Sequence, residues 1–494
     1  LTNTICPEAS EATTASGSPS SIAAGTRIQS SVAMAVHTCG SCPSDFIMSS
    51  ALLESTLDLA LDSVSGRIGS PGMRVLELSW EYPPLTEGGL ARHVCGLSEA
   101  LVAQGAEVHV LSRGPDTGVS EQRGVVVHRV AQAPFPRDVD AFLMWVAELN
   151  RTLQTVVAQW LAGEPFDVVH SHDWLVADVA RTVAADAGLP WVVTVHATEH
   201  GRHGGFVARP PQSTIHGLER AMARDADHLI TCSHWMRDHV AAVFGVARNT
   251  ITALPNGIDL DALAALRRPA GDGDDAALRA RLAPDGERLV LLAGRLVHEK
   301  GFDLALDALA PILHEPRSRA DHHAVRFVVA GAGPAEDALH AQSQGLGLDP
   351  HGRFLGWVDD ATLHALYRVC DVCVVPSRYE PFGIVALEAM ALGCACIVAD
   401  TGGLREIVPG DETVGLRVPR EDRRVLTAAI TRLLHDDALR AGIRERARRH
   451  VRGYGWAPVA RATAELLDAL ARSPAHHPAP PLSGSAAPAF PRSR

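Results

Sequence analysis

The sequence predicts an α/β protein built from two doubly wound, Rossmann-like domains that face each other across a central cleft. Three observations carry this prediction. Short apolar runs alternate with stretches of helical periodicity along most of the chain, the pattern of parallel strands covered by helices on both faces. The alternation comes in two blocks, and the stretch 269–275 between them is rich in Pro, Ala, Gly and Asp and has linker composition. Finally, 494 residues exceed what one ordinary core accommodates.

Residues 1–70 are rich in Ser, Ala, Thr and Gly and are expected to form a low-complexity, disordered extension. The first domain is expected over 73–260. It opens with an apolar strand at 73–79, directly after Ser70-Pro-Gly. Leu90, Val94, Leu97 and Leu101 then recur at helical spacing and stop near Gly105. Strands follow at 107–111 and 125–130, and a long helix at 138–161. Strands at 167–170 and 191–196 bracket a helix at 177–187. A helix at 215–224 and a strand at 228–233 come next. After a linker at 261–286, the second domain spans 287–455, with strands at 288–293, 326–330, 372–376 and 395–399. Residues 456–472 are expected to form a terminal helix that packs back on the first domain, and 473–494, rich in Pro, Ala and Ser, a disordered tail.

Composition removes several function classes. A net charge of -12 argues against duplex nucleic acid as the main partner, because phosphate binding needs an excess of basic residues. No run approaches the roughly 18 apolar residues of a membrane-spanning helix, and the first residues lack a charged n-region followed by an apolar h-region. A cytoplasmic protein without an integral membrane segment is the expectation. The nine cysteines show no paired zinc-site spacing, and Cys370 and Cys373 flank or enter a buried strand, where thiols act as small hydrophobes.

The candidate chemistry sits where strands end. Ligands of doubly wound sheets bind beyond the carboxyl ends of the strands. Gly88 and Gly89 follow the first strand and precede a helix, so backbone and helix N-terminus there can approach a phosphate. Arg295 and Lys300 lie just past the strand 288–293 and before a helix starting near Phe302. Two cations there suit a diphosphate leaving group, whose negative charge grows in the transition state. Glu380 precedes, and Glu388 follows by about two turns, a helix expected to begin near Phe382, whose N-terminal dipole would face the cleft. Both carboxylates suit acceptance of hydrogen bonds from sugar hydroxyls. Each feature has an unremarkable alternative: a tight turn, two solvated cations, a dipole partner. Their combination on strand ends points to one pocket.

Read in order, the motifs resemble those of family 4 retaining glycosyltransferases of the GT-B fold, and especially bacterial glycogen-synthase-like α-1,4-glucan glucosyltransferases. The resemblance covers roughly residues 73–472. It rests on Trp80-Glu-Tyr-Pro-Pro with Gly88-Gly-Leu, His172-Asp-Trp, His196-Ala-Thr-Glu, Pro255-Asn-Gly-Ile-Asp259, Gly294-Arg-Leu with Glu299-Lys-Gly, and the segment 380–388. It implies that Arg295 and Lys300 hold the donor diphosphate, helped by Gly88, Gly89 and the backbone of Phe382, Gly383 and Ile384. Glu380 would contact the transferred sugar, Glu388 the ribose, and His196 the sugar at the reacting centre, while Asp173 would help shape the acceptor side. One departure stands out: Thr86 occupies a position where glycogen synthases usually carry Lys, which leaves the donor's identity open. Arg92 on the next helix is a candidate to compensate, and residues 354–358 are a candidate wall for the base.

The resemblance also implies retention without an enzymic nucleophile, the acceptor hydroxyl attacking the face that the diphosphate leaves. Positioning and leaving-group stabilisation then carry the rate. No cofactor or metal is expected; the partners are a nucleotide-sugar donor and a glucan or other glycan acceptor. The leading expectation is transfer of glucose from ADP-glucose or UDP-glucose to an α-1,4-glucan. A hexosyl- or mannosyltransferase acting on a lipid or small molecule is the related alternative. A sugar-nucleotide epimerase on a similar fold would turn over donor without acceptor, and a binding protein would turn over nothing.

Overall fold

Val75, Leu76 and Leu78 are fully buried in the first strand after residue 72, and the sheet of the first domain grows on both sides of it. The computed structural model describes residues 72–86, 88–136, 138–160, 165–266, 273–315 and 324–473. The expected extension at 1–70 and all of the tail but Ser473 lie outside these residues. The first domain contributes β1 (Arg74–Leu78), β2 (Glu107–Gly114), β3 (Gly118–Gln122), β4 (Val125–Ala131), β5 (Val168–His172), β6 (Trp191–Val195), β7 (His228–Thr231) and β8 (Ile251–Ala253). Their order in the sheet is β3-β4-β2-β1-β5-β6-β7-β8. All neighbours run parallel except β3 with β4. The second domain contributes β9 (Arg288–Ala293), β10 (Val325–Ala330), β11 (Gly352–Phe354), β12 (Val372–Val375), β13 (Ala395–Ala399) and β14 (Leu416–Val418), in the all-parallel order β11-β10-β9-β12-β13-β14.

Each sheet reverses its winding direction once, between β1 and β5 and between β9 and β12. At such a reversal the connecting helices leave to opposite faces and a crevice opens beyond the carboxyl ends of the strands. The candidate residues of the second domain follow β9 and β12, and those of the first follow β1, β5 and β6. The buried free thiols of Cys370, Cys373, Cys394 and Cys396 pack in the second domain's core, as small apolar groups do.

Three local features differ from the sequence reading. The described residues of the segment 261–286 are largely helical, with helices Leu260–Ala265 and Gly273–Leu282. The second of these is tied down by charge: Arg368 makes a bidentate bond to Asp275 at 2.7 and 2.8 Å, and Arg279 reaches Asp371 at 2.8 Å. The edge strand β3 has no clear apolar alternation and was not expected. It forms by antiparallel pairing with β4, a context that local pattern does not report. The helix expected from Phe382 spans Ile384–Ala391, with Gly383 as its N-cap at φ 116°, so Glu388 lies just over one turn in rather than two.

The two domains are joined by paired chain crossings. Ile258 N–H donates to the Tyr454 carbonyl at 2.8 Å, and Ile258 forms a parallel bridge with Gly455. Beyond that bridge the helix Trp456–Ala471 packs on the helix Gly89–Ala103, burying Val459, Ala460, Ala464 and Leu467 with Val94, Leu97 and Leu101. The Trp456 ring fits only because Gly96 and Gly257 lack side chains: a Cβ would lie 2.3 Å from the ring at Gly96 and 2.4 Å at Gly257. Gly96→Ala is therefore expected to destabilise the protein by about 1–3 kcal/mol through overpacking. A lowered urea midpoint with an unchanged m-value is the expected readout; a stability equal to the parent's would contradict this packing.

Candidate active site

The loop after β9 turns through Gly294, Arg295 and the short 3₁₀ segment His298–Lys300 before the helix Phe302–Leu313. Lys300 Nζ donates to Glu380 Oε2 at 2.7 Å, and Ser377 Oγ donates to the same oxygen at 3.1 Å. Glu380 is buried, so Lys300 supplies the countercharge and hydrogen bond that a carboxylate inside the protein requires. Its backbone is held as tightly. Gly403 N–H donates to the Glu380 carbonyl at 3.0 Å, and a Cβ at Gly402, where φ is 52°, would lie 1.8 Å from that carbonyl oxygen.

Among the described residues Arg295 has no such partner within hydrogen-bond distance; Glu299 Oε1 stands 3.9 Å from its guanidinium. Crowding by protein, followed by the nearby charge of Arg202, lowers its pKa. Arg202 comes from the first domain, in the one-turn helix Glu199–Arg202. Its side chain is exposed, and although surrounding protein partly desolvates it, Asp173, Tyr379, Glu299 and Glu199 outweigh that and raise its pKa. Two guanidinium groups from opposite domains thus converge on the loop after β9. Placed there, the two can bind an anionic group.

Glu388 is buried on the helix Ile384–Ala391, and burial pushes its carboxyl up to about 7, against the pull of Arg92. Arg92, on the first domain's helix Gly89–Ala103, stands 3.7 Å from Glu388 Oε1 and also bonds Asp360. The helix Ile384–Ala391 carries no side-chain cap and no acidic residue in its first turn, so its positive dipole end is free to meet an anion. Gly88 and Gly89 border open space: a Cβ at Gly88 would meet nothing within 4 Å, and one at Gly89 only Ile384 Cδ1 at 3.8 Å.

On the first domain's side, His196 follows β6 and is half-buried. Its Nε2 lies 3.1 Å from His172 Nδ1 at the end of β5, and its ring centroid 4.6 Å from that of His93. Burial, with a smaller push from His170, lowers its pKa to about 3, so it works as a neutral hydrogen-bonding group. Asp173 points inward: its Oδ1 accepts from the His196 N–H at 2.8 Å, and burial raises its carboxyl to about 6. It fixes the turn that carries His196.

The domains meet through specific bonds around this site. Thr198 N–H donates to Tyr379 Oη at 3.0 Å, and Ser233 Oγ donates to the Pro381 carbonyl at 2.8 Å. Glu406 accepts from His234 N–H and Trp235 N–H at 3.1 and 2.9 Å, placing a carboxylate at the N-terminus of the helix His234–Phe244. The structure therefore brings together Arg295, Lys300, Glu380 and the backbone at Phe382–Ile384, with Gly89 facing Ile384. Sequence reading missed Arg202, Tyr379 and Glu406. Arg202 lies only six residues after His196, but nothing in the sequence says that a single helical turn aims it across the cleft. Arg92 engages Asp360 and Glu388, which gives the proposed compensation for Thr86 no direct support. Trp357, in the candidate base wall, is 77% exposed.

Comparison with known proteins gives a consistent picture. Residues 87–262 match the family model described as Glycosyltransferase Family 4, and residues 274–450 that described as Glycosyl transferases group 1. The chain is 38% identical to the glycogen synthase of Mycobacterium tuberculosis, over 81% of this chain and 95% of that one. It is 32% identical to D-inositol 3-phosphate glycosyltransferase 1 of Catenulispora acidiphila, over 80% and 95% of the two chains. The structure of sucrose-phosphate synthase from Thermosynechococcus elongatus superposes with a TM-score of 0.67 at 26% identity, covering 81% of this chain and 99% of that one. Among the described residues no helix is long and apolar enough to cross a membrane.

Two stability measurements check the electrostatics. Lys300→Ala strands the Glu380 carboxylate and is expected to destabilise by about 3 kcal/mol, with Lys300→Ala/Glu380→Ala recovering part of the loss in urea unfolding. For Glu388 the native carboxyl binds its proton more tightly than the unfolded one, so its contribution falls as pH rises from 4.5 through about 7. Glu388→Gln should therefore raise the urea midpoint relative to the parent at pH 8 and lose most of that advantage at pH 5.

Proposed function

This chain belongs to the family 4 glycosyltransferases of the GT-B fold and is a hexosyltransferase, and we propose that it moves glucose from ADP-glucose or UDP-glucose to a growing α-1,4-glucan with retention of configuration. The observation that carries this reading is the likeness to a glycogen synthase along 95% of that protein, combined with Arg295 and the bonded Lys300–Glu380 pair at the strand ends of the second domain. The donor diphosphate would lie against Arg295, Lys300, Gly88, Gly89 and the N-terminus of the helix Ile384–Ala391. Glu380 would accept hydrogen bonds from the transferred glucose, and Glu388 from the ribose. Residues 354–358 would wall the base.

The chemistry follows from charge development. As the glycosidic bond to the diphosphate lengthens, negative charge accumulates on the departing phosphate, and Arg295, Lys300, Arg202 and the helix dipole stabilise it more in the transition state than in the ground state. The acceptor hydroxyl attacks from the face the phosphate leaves. Its proton passes to the departing phosphate oxygen, the basic atom on that face. His196, held neutral, would hydrogen-bond the transferring sugar at the reacting centre, and Asp173 would keep it in place. These cations do the work a divalent metal does in other transferases, so turnover is expected to survive EDTA.

A second reading rests on the inositol-phosphate relatives: Arg202 would meet an acceptor phosphate instead of a glucan. Assays of ADP-glucose and UDP-glucose against glycogen primer and against inositol 3-phosphate distinguish the two, and NMR of the first-formed product reports the anomeric configuration. Arg295→Met and Glu380→Gln are each expected to lower kcat/KM by about 10²–10³-fold while the variants stay folded. Full turnover in either variant would overturn the site assignment, and donor hydrolysis or epimerisation independent of any acceptor would overturn the function.

A further inference from the structure

Three histidines from three different elements meet beneath the acceptor side of the cleft. His93 comes from the helix Gly89–Ala103, His172 from the end of β5 and His196 from the turn after β6. One ring nitrogen of each lies within 4.8 Å of the others, and His172 Nδ1 is 3.1 Å from His196 Nε2. His93 and His172 are buried, and among the described residues neither ring nitrogen of His93 makes a well-formed hydrogen bond, although the Asn256 side chain lies near it. Buried polar atoms of native proteins are nearly always paired, so the poorly satisfied His93 ring calls for an explanation.

We propose that His93, His172 and His196 form a binding site for a transition-metal cation of the zinc class, and that a metal held there shuts off sugar transfer. Imidazole nitrogen is the ligand preferred by zinc, copper and nickel over magnesium or calcium. A tetrahedral zinc with bonds of about 2.0–2.1 Å separates its ligand nitrogens by about 3.3 Å, near the spacing already present between His172 and His196. Small rotations of the His93 ring bring in the third ligand. His196 is half-buried, so the fourth position opens toward the cleft and is filled by water. Behind the cluster, the His170 ring lies 4.4 Å from that of His172, and His170 Nδ1 lies 3.4 Å from the buried carboxylate of Glu77. That carboxylate supplies negative charge to a bound cation. The neighbouring set Glu77, His170 and His172 also has ligand spacing but is buried at all three members and offers no entry from solvent.

Binding stands on this geometry alone. Inhibition rests on the proposed place of His196 at the reacting centre, because a metal would take the ring nitrogen that otherwise meets the sugar. The test uses the full chain with Co²⁺ and Zn²⁺ as probes, following Co²⁺ absorption and Zn²⁺ calorimetry. The parent is expected to bind one more equivalent than His93→Phe, and Co²⁺ should show the intense bands of a four-coordinate nitrogen site. His93→Phe keeps an aromatic ring against His196 and should retain turnover while zinc inhibition weakens on the order of 100-fold. His196→Ala should also lose the extra equivalent, which provides a check if His93→Phe does not fold. Equal stoichiometry in the parent and both variants would overturn the site. Loss of the equivalent in His196→Ala with turnover intact would leave the metal site standing and overturn the role given to His196 in transfer.

Discussion

Two parallel sheets can share one site only if the carboxyl ends of their strands face each other, and in this protein the paired crossings of the chain hold them so. The bond from Ile258 N–H to Tyr454 carbonyl joins the outgoing and returning segments. Immediately after it, Trp456 lodges between Gly96 and Gly257 and starts the helix that packs on the first domain. The same tryptophan touches the histidine cluster, its ring 5.4 Å from that of His93. Removing side chains at Gly96 and Gly257 is thus what lets a segment from the far end of the sequence brace the floor of the cleft.

Charge is distributed across that cleft in two ways. Some cations are already neutralised by carboxylates, as Lys300 is by Glu380 and Arg92 by Asp360 and Glu388. Arg202 is offset by Asp173, Glu299 and Glu199, whereas Arg295, near Arg202, has Glu299 only at 3.9 Å. In the proposed function a donor diphosphate would offset this charge at the step where its own charge rises. The buried carboxyls of Asp173 and Glu388 and the imidazole of His196 show the complementary effect: desolvation moves each pKa toward the uncharged form, up to about 6 and about 7 for the acids and down to about 3 for the histidine.

Most of the architecture was legible in the sequence because apolar alternation and helical periodicity are local signals. The strand β1, the helix Ala177–Ala187 and the strands β9 and β13 lie within a residue or two of their expected bounds. Local pattern failed where pairing or charge decided. β3 exists because β4 offers an edge, and the helix Gly273–Leu282 sits in a linker-like stretch because Arg368 and Asp371 anchor it. The position of Gly383 at φ 116° delayed the next helix by two residues, a shift that hydrophobic pattern does not encode.

The sequence by itself determined the two-domain α/β organisation, the strand-end positions of Arg295, Lys300, Glu380 and His196, and the resemblance that family membership bears out. Each of these is fixed by residue type and spacing along one strand–turn–helix unit. Only the tertiary structure decided which of these groups pair, that Lys300 neutralises Glu380 while Arg202 arrives from the opposite domain, and that three histidines separated by up to about a hundred residues become neighbours. The Lys300–Glu380 pair and the histidine cluster depend on which strands lie side by side within one sheet, and the approach of Arg202 on how the two domains meet, none of which a local pattern carries. The residues of this pocket were therefore readable one at a time, and their electrostatic balance was not.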